Sequence, residues 1–526
     1  MLTPRRPVEL ARRRYDVIIV GGGVYGLMLS LEATKRGLTP LLVERGDFAA
    51  ETSHNSLRII HGGFRYLQSL DLRRFRESVA ERHWFLRTFP EFVRPLPCLL
   101  PLYNRGLQRP PVLRAALALN DVLSWRRNRG VRSDRVLPGG RVIGRDETVR
   151  LFPDVDPRGL VGGATWTDAF APDMPRLMIA ILHRACASGA AVLNYVEATG
   201  LLRDGPRVAG ITAVDRAAKS EPAGKPLEFR APVVINAAGP WARQFAAACG
   251  DDRPDLFAPC LTWNVVFDRP PLSDYGLAVP PRRRGARAYF LVPWKGVLFA
   301  GTGQAPWSAD NGPPRVSEAC LQAFIDDLND AIPGLGVRRD EVARVFGGVQ
   351  PAVRPGSDSP ASRVVFVDHQ RKGGPQGLFS VSGVKLTTAR RVADTMLRRV
   401  FPHHTPALAD EDASLAAEAG APSELAFGSM PASSDRQWLA PLERAAATES
   451  VVHVSDLILR RSSLGDNPAR ALALAPAACE RLGHEGAAAR LEMDRLRREL
   501  THLCDPCEGM MAGARRRIAS PARSAG

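Results

Sequence analysis

The feature that most constrains the fold is a glycine-rich turn close to the N-terminus, placed between an apolar strand and a helix. Residues 15–20 predict a buried strand that runs directly into Gly21-Gly22-Gly23-Val24-Tyr25-Gly26, and residues 27–36 have helical character. A second apolar stretch follows and ends in Glu44, about 20 positions after the glycines, the distance typical of a dinucleotide-binding βαβ unit. The N-terminal segment is therefore predicted to be a Rossmann-like unit.

Each part of this pattern has a physical role. Gly21 allows the tight turn, Gly23 lets the backbone approach a pyrophosphate, and Gly26 allows the helix to pack closely on the strand. The helix N-terminus faces the phosphates, and Glu44 can accept hydrogen bonds from ribose hydroxyls. The spacing of the glycines leaves open which dinucleotide is bound.

The stretch after Glu44 favours a flavin. An isoalloxazine ring needs hydroxyls and backbone amides along its polar edge and glycines where the chain approaches it. Arg65 is predicted to project beside the ring, where its forked guanidinium can hold an anionic group of the substrate. The stretch offers such hydroxyls, a histidine and a pair of glycines, among them Thr52, Ser56, His61, Gly62 and Gly63.

Taken together with later motifs, the chain resembles the FAD-dependent glycerol-3-phosphate dehydrogenases, which belong to the D-amino-acid-oxidase-like flavoprotein superfamily. The resemblance is specific because several motifs recur in order. They are VERGDF at 43–48, IHGGFRY at 60–66, VRPLP at 93–97, VVINAAGPW at 233–241, VPW at 292–294, AGT at 300–302, SGVKLTT at 382–388 and DLILRRSSLG at 456–465.

The resemblance implies roles for individual residues. Arg65 and Lys385 are the implied catalytic residues: Arg65 and Tyr66 lie near the substrate, and Lys385 stabilises the negative charge of the reduced flavin. The FAD contacts implied are Gly21, Gly23, Gly26, Glu44, Arg45, Thr52, Ser56, His61, Gly62, Gly63, Ala198, Ala237, Gly239, Lys385, Leu386 and Thr387.

Two positions depart from the family pattern. Family members carry a histidine and an arginine toward the substrate where this chain has Asn264 and Gln350. Both are predicted to contact the substrate and to tune the pocket, with one fewer bidentate cation to hold an anion. Asp168 and Asp173 are interpreted as loop and helix-cap residues.

The predicted function is an FAD-dependent oxidoreductase that oxidises a small anionic alcohol, glycerol 3-phosphate or a related compound. The resemblance implies hydride transfer to flavin N5 and transfer of electrons to a quinone. Two alternatives stay open. One is an amino-acid or hydroxy-acid oxidase or dehydrogenase of the same superfamily, in which Arg65 holds a carboxylate, and the other is a flavin-binding protein without turnover.

The predicted fold is mixed α/β: a Rossmann-like FAD-binding domain interleaved with an antiparallel-sheet substrate domain, followed by a C-terminal helical domain. The oxidoreductase domain is assigned to residues 15–403. Within it, flavin segments are predicted near 15–75, 160–245 and 345–400, and substrate segments near 76–160 and 250–345. A linker at 404–433 and a helical domain at 434–510 follow.

Charge and composition limit the kinds of partner that the protein is predicted to bind. The net charge is +16, but basic runs such as Arg282–Arg284 lack interleaved aromatic residues, so no nucleic acid partner is predicted. The eight cysteines show no disulfide framework, and the single pair Cys504 and Cys507 is predicted to hold no metal.

With no apolar run of the roughly 18 residues that a membrane span needs, the protein is predicted to be cytoplasmic or peripheral on the inner face of the membrane. Residues 110–127 are the candidate membrane-facing patch, and the oligomeric state is left open.

Overall fold

The structure is a computed structural model that describes residues 5–67, 70–104, 106, 109–217, 226–281, 288–308, 312–406 and 436–501. For Arg65 and residues 436–439 it describes the backbone alone. Two large sheets share the first 400 residues, and helices make up the described C-terminal part. The predicted mixed α/β class is therefore confirmed. Most of the predicted linker, together with Cys504 and Cys507, lies outside the described residues.

One sheet has six strands and is parallel except at one edge, where Val365–Asp368 runs antiparallel to its neighbour. Its central strand, Val17–Val20, is buried along its whole length, as a strand covered on both faces must be. The spatial order of the strands is Val365–Asp368, Leu378–Ser382, Val234–Asn236, Val17–Val20, Pro40–Val43 and Ala191–Leu193.

The second sheet has nine strands, and its only parallel pairing within the described chain joins Arg94–Leu102 to Gly276–Val279. Its strands, in chain order, are Ile59–Ile60, Arg94–Leu102, Arg141–Ile143, Gly162–Phe170, Pro259–Phe267, Gly276–Val279, Tyr289–Trp294, Val297–Pro306 and Val342–Pro351. A small three-stranded sheet is formed by Val196–Asp204, Arg207–Asp215 and Leu227–Arg230.

Helices cover both large sheets. Val24–Thr34, Met174–Ala187 and Ala389–Val400 bury apolar side chains against the six-stranded sheet, and Glu318–Ala331 covers the nine-stranded sheet. No helix within the described ranges is both long and apolar enough to cross a bilayer. The helices are Pro7–Ala11, Val24–Thr34, Leu72–Thr88, Pro110–Leu123, Arg145–Leu151, Met174–Ala187, Ala242–Ala248, Glu318–Ala331, Ala389–Val400, Arg436–Thr448, Val454–Arg460, Pro468–Arg481 and Gly486–Thr501.

Two strands that the prediction places in flavin segments belong to the nine-stranded sheet. Gly162–Phe170 and Val342–Pro351 pair in the nine-stranded sheet, although the boundaries near residues 160 and 345 place most of these strands in the flavin segments. The physical reason is that each strand finds its hydrogen-bonding partners there, along Arg94–Leu102 and Pro259–Phe267 respectively. The assignment of the segments to cofactor or substrate stays a prediction.

The C-terminal helices are joined to the rest of the chain by buried ion pairs. Glu449 accepts hydrogen bonds from both terminal nitrogens of Arg176, at 2.6 and 3.1 Å, and His183 Nε2 lies 3.1 Å from it. Burial alone would raise the pKa of Glu449, but the His183 hydrogen bond and the Arg176 charge lower it to about 2. Glu449 is therefore a stable anion at neutral pH and fixes the helices to Met174–Ala187.

Candidate functional site

A deep cleft opens at the carboxyl ends of the central parallel strands, the edge where α/β sheets bind ligands. Its empty volume, including solvent at its mouth, is about 1660 Å³. Phe257 and residues 349–351 line the cleft together with five segments: the glycine turn, the stretch after Val43, the start of the three-stranded sheet, the stretch after Asn236 and the stretch around Lys385. The topology of the six-stranded sheet is what brings these segments together.

The glycine turn has a shape that side chains would prevent. Gly21 has φ of 110°, and a Cβ atom there would lie 2.6 Å from the carbonyl oxygen of Ala237. A Cβ atom at Gly26 would lie 1.8 Å from the carbonyl oxygen of Gly21. Gly23 is the N-cap of helix Val24–Thr34 and lines the cleft, so the helix N-terminus, with its partial positive charge, borders the cavity.

Glu44 lies at the end of its strand and braces the turn. Its two carboxylate oxygens accept hydrogen bonds from the backbone amides of Gly22 and Gly46, at 2.6 and 2.7 Å. Burial raises the pKa of Glu44, against the opposing effect of these two amides. Each carboxylate oxygen has capacity for a further hydrogen bond, so Glu44 can still accept one from a hydroxyl in the cleft.

Arg45 and Trp241 cover one part of the cleft. The Arg45 guanidinium lies 3.9 Å from the centre of the Trp241 ring, which is a cation–π contact. Beside them, Gly239 has φ of 55° and open space where a side chain would be. This leaves room for a ligand next to the backbone.

The hydroxyl-rich stretch after Glu44 packs against the nine-stranded sheet. Thr52 Oγ1 donates to the carbonyl oxygen of Val349 at 2.9 Å. Gly348 makes the contact possible, because a Cβ atom there would lie 2.6 Å from Thr52 Cα. As a result Gln350, at the end of its strand, reaches the cleft beside Thr52.

Lys385 is fixed at its backbone and at its side chain. The Tyr25 hydroxyl accepts from the Lys385 amide at 2.9 Å and donates to its carbonyl at 2.8 Å. The Tyr25 ring lies where a side chain at Gly383 would be, since a Cβ atom there would lie 1.8 Å from Tyr25 Cζ. Lys385 Nζ donates to the Tyr66 hydroxyl and lies 4.7 Å from the centre of that ring. A cation is therefore held at this end of the cleft.

Comparison with known proteins identifies the family. Residues 16–396 match the family described as FAD dependent oxidoreductase (DAO). The chain belongs to this family. The predicted FAD cofactor and the assignment to FAD-dependent enzymes are thereby confirmed.

Similar proteins within the family are named as glycerol-3-phosphate dehydrogenases, the group that the sequence motifs resemble. The chain is 29% identical over 405 residues to "Glycerol-3-phosphate dehydrogenase" of Synechocystis, covering 75% of this chain and 71% of the relative. It is 30% identical over 387 residues to "Glycerol-3-phosphate dehydrogenase 2" of Mycobacterium bovis, covering 73% of this chain but only 63% of that protein. The predicted resemblance is therefore confirmed.

A solved structure shares the fold along almost the whole chain. It is the glycerol-3-phosphate dehydrogenase of Bacillus halodurans complexed with FAD, with a TM-score of 0.65 and 19% identity, covering 95% of this chain and 97% of that one. At this identity the likeness shows the fold. It includes the C-terminal helices, in agreement with the predicted helical region.

The cleft of this member of the FAD family fits the cofactor. The glycine turn leaves the space that a pyrophosphate needs, and Glu44 offers acceptors to a ribose. The predicted contacts that line the cleft are Gly21, Gly23, Glu44, Arg45, Thr52, Ser56, Ala198, Ala237, Gly239, Lys385 and Leu386. Gln350, predicted to face the substrate, lines it too.

Other predicted residues lie elsewhere. Gly26 packs beneath the turn, as its predicted role requires. Thr387 is buried next to Leu386. Tyr66 is not among the described residues that line the cleft, but its hydroxyl bonds to Lys385, which does line it. Arg65 belongs to the 3-10 turn Phe64–Tyr66, and its side chain lies outside the described residues.

His61, Gly62 and Gly63 are not among the described residues that line the cleft; a buried ion pair holds their loop. The Gly62 amide donates to Asp168 Oδ1 at 2.6 Å, and Arg82 Nη1 donates to the same oxygen at 2.8 Å. A side chain at Gly62 would collide with the Arg82 guanidinium, 2.2 Å away. The interpretation of Asp168 as a loop residue is wrong, because it lies within strand Gly162–Phe170. Asp173 does cap a helix, accepting from the Arg176 amide.

Asn264 is placed inside the nine-stranded sheet. Its side chain accepts a hydrogen bond from Thr302 Oγ1 at 3.0 Å, and the residue is 4% exposed. It is not among the described residues that line the cleft. The prediction that Asn264 contacts the substrate therefore gains no support from its position, because its oxygen is already bonded to the neighbouring strand.

The structure adds site residues that sequence reasoning missed. Tyr25 occupies a variable position of the glycine motif, and Ser53 accepts a hydrogen bond from the Val24 amide at 2.9 Å. Asp47 is buried and lines the cleft. Only the VERGDF motif pointed to Asp47, and nothing in the sequence pointed to the contacts of Tyr25 and Ser53.

Proposed function

We propose that the protein is an FAD-dependent dehydrogenase that oxidises a small anionic alcohol, glycerol 3-phosphate or a close relative, and delivers the electrons to a quinone. The observation that carries the proposal is the position of Lys385, a cation held at one end of a cleft that fits FAD. When bound, FAD supplies the acceptor for a hydride removed from carbon. The names of the curated relatives support the choice of glycerol 3-phosphate.

The chain's own residues have distinct roles in this proposal. Lys385 attracts an anion and stabilises negative charge that develops nearby, and Tyr66 holds the lysine in position. Arg65, next to Tyr66 in sequence, is proposed to bind the anionic group of the substrate. Gln350 contributes a neutral amide to the cleft wall, so Arg65 and Lys385 carry the electrostatic recognition.

Anaerobic addition of glycerol 3-phosphate to the purified yellow protein is expected to bleach its flavin absorbance within seconds. Glycerol, which lacks the anionic group, is the matched control and is expected to leave the spectrum unchanged. Bleaching by amino or hydroxy acids alone supports the alternative within the superfamily. A protein that none of these compounds reduces, while dithionite does, contradicts the proposed dehydrogenase and supports a flavin-binding protein without turnover. Reoxidation by a soluble quinone but not by oxygen would support the proposed acceptor.

A quinone acceptor requires contact with the membrane, and one surface suits this. On helix Pro110–Leu123 and just beyond it, apolar side chains point outward: Val122 is 68% and Trp125 is 70% exposed. Buried Leu113 and Leu117 anchor the helix to the protein. Arg126 lies 4.5 Å from the Trp125 ring. Exposed apolar residues beside arginines are typical of surfaces that bind anionic lipid.

Trp125→Asp is expected to weaken binding to vesicles containing phosphatidylglycerol about tenfold. The variant removes aromatic area that enters the bilayer surface on binding, and it adds a negative charge. Co-sedimentation at constant ionic strength measures the effect. Leu491→Asp is the matched control, since Leu491 is 67% exposed on a C-terminal helix. Equal binding by the Trp125 variant and the wild type would exclude this surface.

A further inference from the structure

Residues of the C-terminal part form buried ion pairs with Asp47, in the stretch that follows Glu44. Asp47 lines the cleft, yet its carboxylate is fully buried. It accepts from Arg460 Nε at 2.5 Å, from Arg461 Nη1 and Nη2 at 2.8 Å each, and from Asn194 Nδ2 at 3.0 Å. We refer to Asp47, Arg460 and Arg461 as the Asp47 clamp.

The two arginines are oriented before they meet Asp47. Arg460 also donates to Asp456 at 2.7 Å and to Glu499 at 2.8 Å, both in the C-terminal helices. Arg461 donates to the carbonyl oxygen of Glu449. Because these contacts fix the planar guanidinium groups, little side-chain entropy remains to be lost when they bind Asp47.

The other side of the same stretch supports the glycine turn. The Ala49 amide donates to the carbonyl oxygen of Gly22 at 2.9 Å, and Glu44 accepts from the Gly22 amide. Ala49 has φ of 57°, a left-handed conformation that residues other than glycine rarely adopt. Such a backbone persists where its surroundings hold it, and Asp47 lies two residues away.

We propose that Asp47, Arg460 and Arg461 are positioning residues for FAD: the C-terminal helices hold residues 44–49 in the conformation that binds the ADP half of the cofactor. The helical part would then complete a site whose contact residues all lie in the oxidoreductase domain. The proposal concerns retention of FAD and does not depend on which substrate is oxidised.

Electrostatics agrees with this geometry. Burial by itself would raise the pKa of Asp47, but the charges of Arg461 and Arg460 lower it well below its usual value. Asp47 is therefore ionised at neutral pH. Removing an arginine leaves a buried carboxylate with fewer partners, which is strongly unfavourable unless the segment moves toward water.

A second buried pair provides a matched control. Lys295 Nζ donates to Asp466 Oδ2 at 2.5 Å, and the Lys295 side chain is 1% exposed. This pair also joins the C-terminal part to the main body, but Lys295 lies between strands Tyr289–Trp294 and Val297–Pro306 of the nine-stranded sheet and not in residues 44–49. If the Asp47 clamp served only to anchor the helices, removing its ion pairs would change FAD binding no more than removing the Lys295–Asp466 pair.

The experiment compares Arg461→Gln, Asp47→Asn and Lys295→Met in the full-length holoprotein. Each is dialysed against FAD-free buffer, the retained FAD is measured by absorbance, and the Kd is obtained by titrating FAD back while following its fluorescence. Arg461→Gln is expected to raise the Kd at least tenfold, and Lys295→Met to leave it within twofold while lowering the Tm. The double variant Asp47→Asn/Arg461→Gln is expected to raise the Kd by less than the product of the two single effects.

A Kd for Arg461→Gln that changes no more than that of Lys295→Met, at a similar loss of Tm, would overturn the proposal. Should Arg461→Gln yield no folded protein, Asp47→Asn decides. Asp47→Asn keeps an acceptor oxygen at this position, and it leaves Arg460 bonded to Asp456 and Glu499 and Arg461 bonded to the Glu449 carbonyl. An FAD Kd within twofold of wild type would then contradict the role of Asp47.

Discussion

Gly21→Ala is expected to give a protein that no longer retains FAD. The alanine would have to adopt the φ of 110° found at Gly21, and its Cβ atom would lie 2.6 to 2.8 Å from backbone atoms of Ala237 and Ala238. Because these atoms belong to the next strand end, they cannot move aside as a side chain could. Strain and overpacking together cost about 3 kcal/mol. If this cost falls on the bound conformation, FAD affinity drops more than about a hundredfold.

The measurement is the ratio of flavin to protein absorbance after dialysis, with reconstitution by added FAD. Gly46→Ala is the control, because Gly46 lies between the cleft-lining residues Arg45 and Asp47, is absent from the residues with positive φ, and its Cβ atom would meet only Glu44 Oε1 at 3.6 Å. It is expected to remain yellow. A Gly21→Ala protein that retains FAD as the wild type does would show that the turn does not contact the pyrophosphate.

Lys385→Met is expected to keep FAD but to lower the rate of flavin reduction by about a hundredfold to a thousandfold, the range measured when one stabilising group is removed from an active site. Methionine preserves much of the side-chain volume and removes the charge at the end of the cleft. The backbone of residue 385 remains bonded to the Tyr25 hydroxyl, so the cleft wall should persist. Stopped-flow reduction under anaerobic conditions measures the rate directly.

Two further variants separate charge from position. Lys385→Arg keeps a cation and is expected to recover part of the rate. Tyr66→Phe removes the hydroxyl that holds Lys385 Nζ and is expected to lower the rate by less than the loss of the charge does. A Lys385→Met enzyme with an unchanged reduction rate would remove Lys385 from the proposed machinery and leave Arg65 as the remaining cation.

Much of the FAD-binding site could be predicted from local sequence. Gly21, Gly23 and Glu44 were predicted as cofactor contacts because their roles follow from a strand, a turn and a helix within 30 consecutive residues, and all three line the cleft. The resemblance added Lys385, whose place at the cleft no local pattern indicates.

Other contacts could not be predicted because they join distant residues. Tyr25 meets Lys385 across 360 positions, and Asp47 meets Arg461 across 414. Asn264 illustrates the same limit within one sheet: the strand carries an irregularity between Trp263 and Asn264, so alternation along the sequence does not reveal which side chain turns toward a ligand.

The sequence by itself determined the glycine turn and the acid that follows it, because these depend on backbone geometry within one βαβ unit. The identity of the cofactor came from the stretch after Glu44 and from the motifs that the chain shares with the FAD-dependent family. Only the tertiary structure decided how Lys385 is fixed and which sheet Gly162–Phe170 joins. It also decided that Arg461, in the C-terminal part, binds Asp47. These depend on how sheets and helices pack, and packing is set by the whole chain at once.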